Sequence, residues 1–189
     1  EVQSKDGIDG PWTEWIPPTS DTSARYFGQN GHTYCFRMRA LDAAGNLMIY
    51  STSTAGDTCT SIDTDRPAAA ISGLPPYEQS RNFEVRWAGD DGPSGSNIAS
   101  YGVEVQTDGG LFTSWLTGYA GDHATYQAPS DRTFCFRAAA RDRAGNVGDP
   151  SAEACTRACN DAETGVAAYE YSVGTNPGVA DVLLPVRAG

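Results

Sequence analysis

The chain has few of the side chains on which most enzymes depend. Its 189 residues include 2 histidines and 2 methionines. Neither His32 nor His123 lies near a nucleophile motif, so each is interpreted as a surface histidine at a strand. No Gly-x-Ser-x-Gly, His-Glu-x-x-His or phosphate-binding loop occurs. The sequence therefore predicts a non-catalytic chain without a cofactor.

Basic charge is also scarce, since 13 Lys and Arg residues face 24 Asp and Glu residues and the formal net charge is -11. This charge repels phosphate backbones and anionic lipid headgroups. No apolar run is long enough to cross a membrane, and no signal peptide opens the chain. Nucleic acid and membrane insertion are therefore not expected. Because the chain begins at Glu1 rather than at a methionine, we expect a piece of a longer polypeptide.

One segment occurs twice, as HTYCFRMRALDAAGN and again about a hundred residues later as RTFCFRAAARDRAGN. Matches extend upstream, where Trp15 corresponds to Trp115 and Glu1 to Glu104, whereas residues 67–103 have no counterpart in the first copy. Such self-similarity indicates a tandem repeat. The predicted domains are an incomplete repeat at 1–62, a linker at 63–66, a complete repeat at 67–158, and the start of a further β-domain or a tail at 159–189.

Strands rather than helices fill both copies. Turn-forming residues interrupt the chain roughly every 8 to 12 residues, a rhythm typical of short antiparallel strands. Phe83, Val85 and Trp87 alternate with polar residues, as do Tyr34 and Phe36 in the signature strand, the strand at the centre of the repeated segment. Two sheets that each bury one such face make a β-sandwich. The predicted class is all-β, with tandem sandwiches of which the first is truncated at its N-terminus.

A resemblance to a known family follows from three of these features. Trp87, the Tyr-x-Val-x-Val strand at 101–105 and the aromatic strand followed by Asp-x-Ala-Gly-Asn resemble fibronectin type III repeats and related bacterial immunoglobulin-like repeats of secreted or cell-surface proteins. The resemblance covers about residues 1–158. It implies an immunoglobulin-like β-sandwich and a bacterial, extracellular or cell-surface location. By the same resemblance Tyr34 holds the tyrosine-corner position, where its hydroxyl bonds nearby backbone, and Phe134 lacks that hydroxyl.

The five cysteines suit an oxidising compartment better than a zinc site, because no Cys-x-x-Cys occurs. Neighbouring antiparallel strands bring facing residues close enough for a disulfide bond, which predicts surface bridges from Cys35 to Cys59 and from Cys135 to Cys155. A bridge from Cys135 to Cys159, which would leave Cys155 over, is the alternative. Most members of the family carry no disulfide bond.

Acidic residues concentrate in the predicted loops, among them Asp90, Asp91, Asp142 and Asp149. Calcium takes carboxylate and carbonyl oxygens at such places. Turns also require these residue types, and no twelve-residue calcium loop is present. Turn chemistry is the preferred interpretation and no metal is predicted, with calcium kept as the alternative.

Three tryptophans are candidate contact residues for a sugar ring, namely Trp12, Trp15 and Trp115. Trp12 and Trp15 are three positions apart, which on a strand places them on opposite faces, so that at most one fills the core. Packing beneath a loop is preferred, because a sugar platform needs several coplanar rings.

Equivalent positions on adjacent strands also predict two exposed ion pairs, Glu104 with Arg137 and Glu1 with Arg37.

These observations favour a non-catalytic structural spacer or adhesion segment of a large extracellular or cell-surface protein. Its expected partners are neighbouring domains of the same polypeptide and, beyond them, an extracellular protein or a glycan. The alternative is an accessory carbohydrate- or protein-binding module of a secreted hydrolase.

Overall fold

The computed structural model describes residues 1–129 and 131–158, so the predicted further β-domain at 159–189 and Cys159 lie outside the described residues. The described ranges contain strands and no helix, which confirms the all-β class. No helix in them could therefore span a membrane. The strands are β1 (Val2–Asp6), β2 (Thr13–Ile16), β3 (Thr33–Met38), β4 (Thr58–Ser61), β5 (Ala68–Ile71), β6 (Tyr77–Glu78), β7 (Asn82–Asp90), β8 (Ile98–Thr107), β9 (Thr113–Tyr119), β10 (His123–Gln127), β11 (Thr133–Asp142) and β12 (Ala154–Ala158).

The second copy contains two sheets that share one core. A three-stranded sheet has the order β10-β7-β5, and a five-stranded sheet has the order β6-β12-β11-β8-β9. All strand neighbours are antiparallel except β12 and β6, which run parallel. Residues of β7 in one sheet and of β8 and β11 in the other belong to a single hydrophobic cluster. Residues 67–158 therefore form a β-sandwich.

Alternation of apolar and polar residues produces this core. Along β7, the buried residues Phe83, Val85 and Trp87 are separated by exposed ones. Phe134 and Phe136 of β11 are completely buried in the facing sheet. Burying one such side chain contributes about 1.5 to 3 kcal/mol, so a few inward positions on each strand hold the two sheets together.

The first copy forms one four-stranded sheet of order β2-β1-β3-β4. The corresponding strands of the second copy are β9, β8, β11 and β12, which together with β6 make up the larger sheet of the sandwich. On the face that carries Tyr34 and Phe36, the neighbouring Met38 remains 52% exposed. This arrangement is compatible with an incomplete repeat at residues 1–62. That domain assignment stays a prediction.

An aromatic cluster recurs in both copies. In the second copy Tyr126 packs against Trp115, Phe134 and Phe136 with ring centroids 5.0 to 5.2 Å apart. In the first copy Tyr26 packs in the same way against Trp15, Tyr34 and Phe36 at 4.9 to 5.0 Å. Tyr126 lies in β10, which pairs with β7, whereas Tyr26 lies in an irregular segment. The ring contacts therefore form without the strand pairing.

Candidate functional site

Two cross-strand disulfides occupy the same place in the two copies. Cys35 of β3 is joined to Cys59 of β4, and Cys135 of β11 to Cys155 of β12, with Cα atoms 4.0 Å apart in both. The alternative partner for Cys135 is thereby set aside. Loops of 24 and 20 residues are closed, and each closure contributes about 3 kcal/mol through the unfolded state.

The expectation that these bridges are at the surface is wrong for Cys135, which is 9% exposed, and for Cys35, which is completely buried. Cys35 faces Lys5 of β1, a lysine that is only 4% exposed. The Lys5 ammonium group donates to the carbonyl of Ile8 and, at 2.6 Å, to that of Thr54. Because backbone carbonyls from two loops accept these hydrogen bonds, the Lys5 ammonium group can lie against the protein instead of extending into solvent.

The predicted contact tryptophans do not form a common platform. Trp15 and Trp115 pack within the aromatic clusters, with ring centroids 5.4 Å from Phe36 and 5.5 Å from Phe136 respectively. Trp12 lies apart from them, as the three-residue spacing predicts. The Lys5 ammonium group lies 4.8 Å and the Arg37 guanidinium 4.5 Å from its ring centroid. Of the three candidate tryptophans, cations therefore contact the one that lies outside the aromatic clusters.

The same row of cation–π contacts continues along the sheet. Arg37 and Arg39 both lie 4.6 Å from the ring of Tyr50. The Tyr50 hydroxyl donates to Glu1, and Arg39 Nε donates to the same carboxylate at 2.7 Å. These two hydrogen bonds, first that of Tyr50, lower the pKa of Glu1. No motif or spacing in the sequence predicts that Tyr50 contacts these arginines.

One of the two predicted ion pairs forms. Arg137 donates to Glu104 at 2.6 Å, as expected. The pairing of Glu1 with Arg37 is wrong, because Gln3 faces Arg37 in the observed register and Glu1 bonds Arg39 instead. The correct counterpart of Glu104 is therefore Gln3, two positions further along than the sequence match suggested.

Both histidines are exposed and contact carboxylates. His32 lies 2.8 Å from Asp6, and His123 lies 2.6 Å from Asp122. The hydrogen bond from His123 is the largest cause that lowers the pKa of Asp122. Their positions match the interpretation as surface histidines.

An acidic cluster, which we call the acidic junction, forms where the predicted linker meets the second copy. It consists of Asp63, Asp91 and Asp142, each of which offers one carboxylate oxygen within 4.8 Å of the others. Asp63 accepts a hydrogen bond from the Ser96 amide at 2.7 Å. Asp142 accepts from the amides of Gly145 and Asn146 at 2.6 and 2.8 Å.

Asp91 differs from the other two members of the acidic junction. Both of its carboxylate oxygens are buried, and neither accepts a hydrogen bond that meets ordinary geometric limits. Burial is the largest cause that raises its pKa, and the charges of Asp63 and Asp142 raise it further, whereas a contact with the Asn97 backbone amide lowers it in part. Gly95 lies directly over this carboxylate, where a Cβ atom would overlap it.

Hydrogen bonds from backbone and side chains hold the linker and the two loops of the acidic junction together. The Arg143 amide donates to the Asn97 carbonyl, and the Ala144 amide to the Ser96 hydroxyl, both at 3.0 Å. The Asn146 side chain donates to the Asp63 carbonyl at 3.1 Å. The linker and the loops that carry Asp91 and Asp142 are thus fixed to one another.

Of the four loop aspartates named from the sequence, the acidic junction contains only Asp91 and Asp142. Asp90 accepts from the Gly92 amide, as a turn residue does, and Asp149 lies exposed 3.6 Å from Arg66. Asp63 was missed because its segment was interpreted as a linker. The available signal was a pair of aspartates, Asp63 and Asp65, beside a repeat boundary.

Comparison with known proteins leaves the family open. No protein-family model and no curated protein matches the chain. Among solved structures, the chain is similar to the crystal structure of domains A168-A170 from titin, at 14% identity and a TM-score of 0.45. The match covers 82% of this chain and about half, 52%, of that one. The fold assignment above rests on the strands and core of the chain itself.

Proposed function

We propose that the chain is a non-catalytic structural segment, a spacer or adhesion segment, of a large extracellular or cell-surface protein. The observation that carries this proposal is the disulfide bond between the last two described strands of each copy, at Cys35–Cys59 and Cys135–Cys155. A disulfide bond at the same place in both copies suits a segment that has to keep its structure.

The location follows from the same bonds. Disulfides persist in oxidising compartments and are rare where thiols are kept reduced. Two in a chain of this size therefore support a secreted or cell-surface protein. The sequence motifs, and not the disulfides, are the basis on which we propose that the chain is similar to fibronectin type III-like repeats of bacterial type. Neighbouring domains of the same polypeptide are its proposed partners.

A non-catalytic role is supported by the way reactive side chains are used. His32 and His123 are exposed and are engaged by carboxylates. Cys35, Cys59, Cys135 and Cys155 are joined in disulfides, which removes them as nucleophiles.

One observation favours the rival function, an accessory binding module of a secreted hydrolase. Phe27, Ile49 and Leu111 are at least 85% exposed, so apolar side chains are available to a ligand or partner. Such a module would select its ligand through these residues or through Trp12.

A glycan array probed with the whole chain tests the choice. A spacer binds no sugar class selectively, and the Trp12→Ala variant behaves as the wild type does. The matched control is Phe112→Ala, because Phe112 contacts Arg137 as Trp12 contacts Arg37. Selection of one sugar class that is lost in Trp12→Ala and kept in Phe112→Ala would establish the accessory module instead.

A further inference from the structure

We propose that the acidic junction, Asp63, Asp91 and Asp142, binds a divalent cation and that this cation is calcium. The inference goes beyond the proposed function and does not depend on which partner the segment has. It rests on geometry, on an unsatisfied buried carboxylate and on free acceptor capacity.

The spacing of the carboxylates fits calcium. One oxygen from each aspartate lies within 4.8 Å of the other two. Ligands on opposite sides of calcium are about 4.6 to 5.2 Å apart, because each Ca–O distance is about 2.3 to 2.6 Å. Three oxygens within 4.8 Å of one another are close enough to share one ion. Calcium takes six to eight oxygen ligands in flexible geometry, whereas magnesium demands near-octahedral geometry and keeps several waters, so three carboxylates suit calcium better.

Asp91 supplies the independent sign of a missing ligand. Its two carboxylate oxygens are buried and accept no hydrogen bond of ordinary geometry. The Asn97 backbone amide favours its charged form only in part, and buried charges in proteins are normally paired or bound to metal. Gly95 covers this side chain so closely that solvent cannot approach from that direction. The carboxylate faces two further carboxylates, which only a cation or a proton could reconcile.

The other two aspartates retain capacity to bind the ion. A carboxylate offers about four lone-pair positions. Asp142 accepts three hydrogen bonds, from the Gly145 amide and from the backbone and side-chain nitrogens of Asn146. Asp63 accepts two, from the amides of Asp65 and Ser96. The existing bonds orient both side chains and leave at least one acceptor position on each.

The bound ion would connect the predicted linker to the sandwich. Asp63 follows β4 of the first copy, whereas Asp91 follows β7 and Asp142 ends β11 of the second. A calcium ion shared by all three would therefore stiffen the connection between the copies. Removing calcium would loosen the linker while the disulfides stay intact.

The test is a series of thermal melts of the whole chain, first in EDTA and then with increasing calcium chloride. We expect half-saturation at about 0.1 to 1 mM, the range of extracellular calcium modules, and a rise in Tm of roughly 3 to 8 °C at 10 mM. Magnesium chloride should require at least tenfold higher concentration for the same rise.

The decisive variant is Asp91→Asn, with Asp149→Asn as its matched control because it removes the same charge from an exposed position 3.6 Å from Arg66. Asp91→Asn should lose the calcium response by at least tenfold in concentration. In EDTA it should melt at or above the wild-type temperature, since it removes a buried charge, which shows that it folds. Asp149→Asn should respond as the wild type does.

Three results would overturn the proposal. The wild type could show no rise in Tm up to 10 mM calcium, Asp149→Asn could weaken the response as much as Asp91→Asn does, or magnesium could act at the same concentration as calcium. The last two would show general screening of acidic charge rather than a site.

Discussion

One aspartate organises the turn that follows each signature strand. The Asp42 carboxylate accepts hydrogen bonds from the Ala44 amide at 2.9 Å and from the backbone and side-chain nitrogens of Asn46 at 2.8 and 2.7 Å. In the second copy Asp142 and Asn146 repeat the arrangement. The side-chain bond from Asn46 is the largest cause that lowers the pKa of Asp42.

Removing that side-chain donor should weaken the stabilisation of the charged Asp42 carboxylate, while the backbone hydrogen bonds remain. In Asn46→Ala we expect the pKa of Asp42 to rise toward its usual value, measured by NMR titration of the side-chain carboxyl carbon. Because the folded-state pKa lies below the unfolded one, the stability that Asp42 contributes is present above the unfolded-state pKa and is lost as the pH falls toward the folded-state pKa. Asn82→Ala, on β7, is the control. An unchanged Asp42 pKa in Asn46→Ala would refute this account of the turn.

Tyr34 provides a second effect at the scale of one residue. Its hydroxyl accepts a hydrogen bond from the Gln29 amide at 3.0 Å, which confirms the tyrosine-corner prediction. Removing the hydroxyl in Tyr34→Phe leaves the amide without its acceptor, and we expect a loss of about 1 to 3 kcal/mol in the free energy of unfolding, measured by denaturant titration. Tyr77→Phe, at a side chain that is 58% exposed, should cost far less. Equal losses in the two variants would contradict the role of the corner.

At the scale of the strands, the sequence predicted faces well and register poorly. Alternation places Phe83, Val85 and Trp87 in the core, where the structure has them. A slip of two residues keeps every side chain on its face, so alternation cannot distinguish Glu1 from Gln3 as the neighbour of Arg37. The acidic junction was equally hidden, because Asp63 and Asp142 are distant in sequence and only the folded chain brings them together.

The outer face of the second copy carries the ion pair that was predicted correctly. The two side chains, Glu104 and Arg137, are 38% and 34% exposed. Exposed pairs contribute about 0 to 1 kcal/mol, so a double-mutant cycle with Glu104→Ala and Arg137→Ala should give a coupling energy within that range. A coupling of several kcal/mol would show that this face is buried against a partner.

At the scale of the whole molecule, the two copies differ in how completely their apolar faces are covered. Core residues of the second copy, such as Phe136 and Ala138, are at most 1% exposed, whereas Met38, the counterpart of Ala138 in the first copy, is 52% exposed. The repeat was visible in the sequence because its motif is long. The sequence did not show what covers each apolar face, because that depends on strands that are far apart in the chain.

Hydrogen exchange on the intact chain measures this difference. We expect amides of β8 and β11 to exchange at least tenfold more slowly than those of β1 and β2, because the former open only when a two-sheet core opens. Equal protection in the two copies would mean that the first sheet is as stable as the sandwich and that the boundary of the repeat lies elsewhere.

Single-molecule stretching of the whole chain, before and after reduction, tests the proposed structural role most directly. In the oxidised chain we expect resistance to extension. The residues between paired cysteines should not add to the length of the extended chain, because the disulfide bonds hold the ends of those loops together. Reduction should add about 80 Å for the loop of 24 residues and about 70 Å for the loop of 20, at roughly 3.4 Å per residue. A chain that extends as a random coil from the lowest forces, with the same length in both states, would contradict the claim that it is a disulfide-locked structural segment.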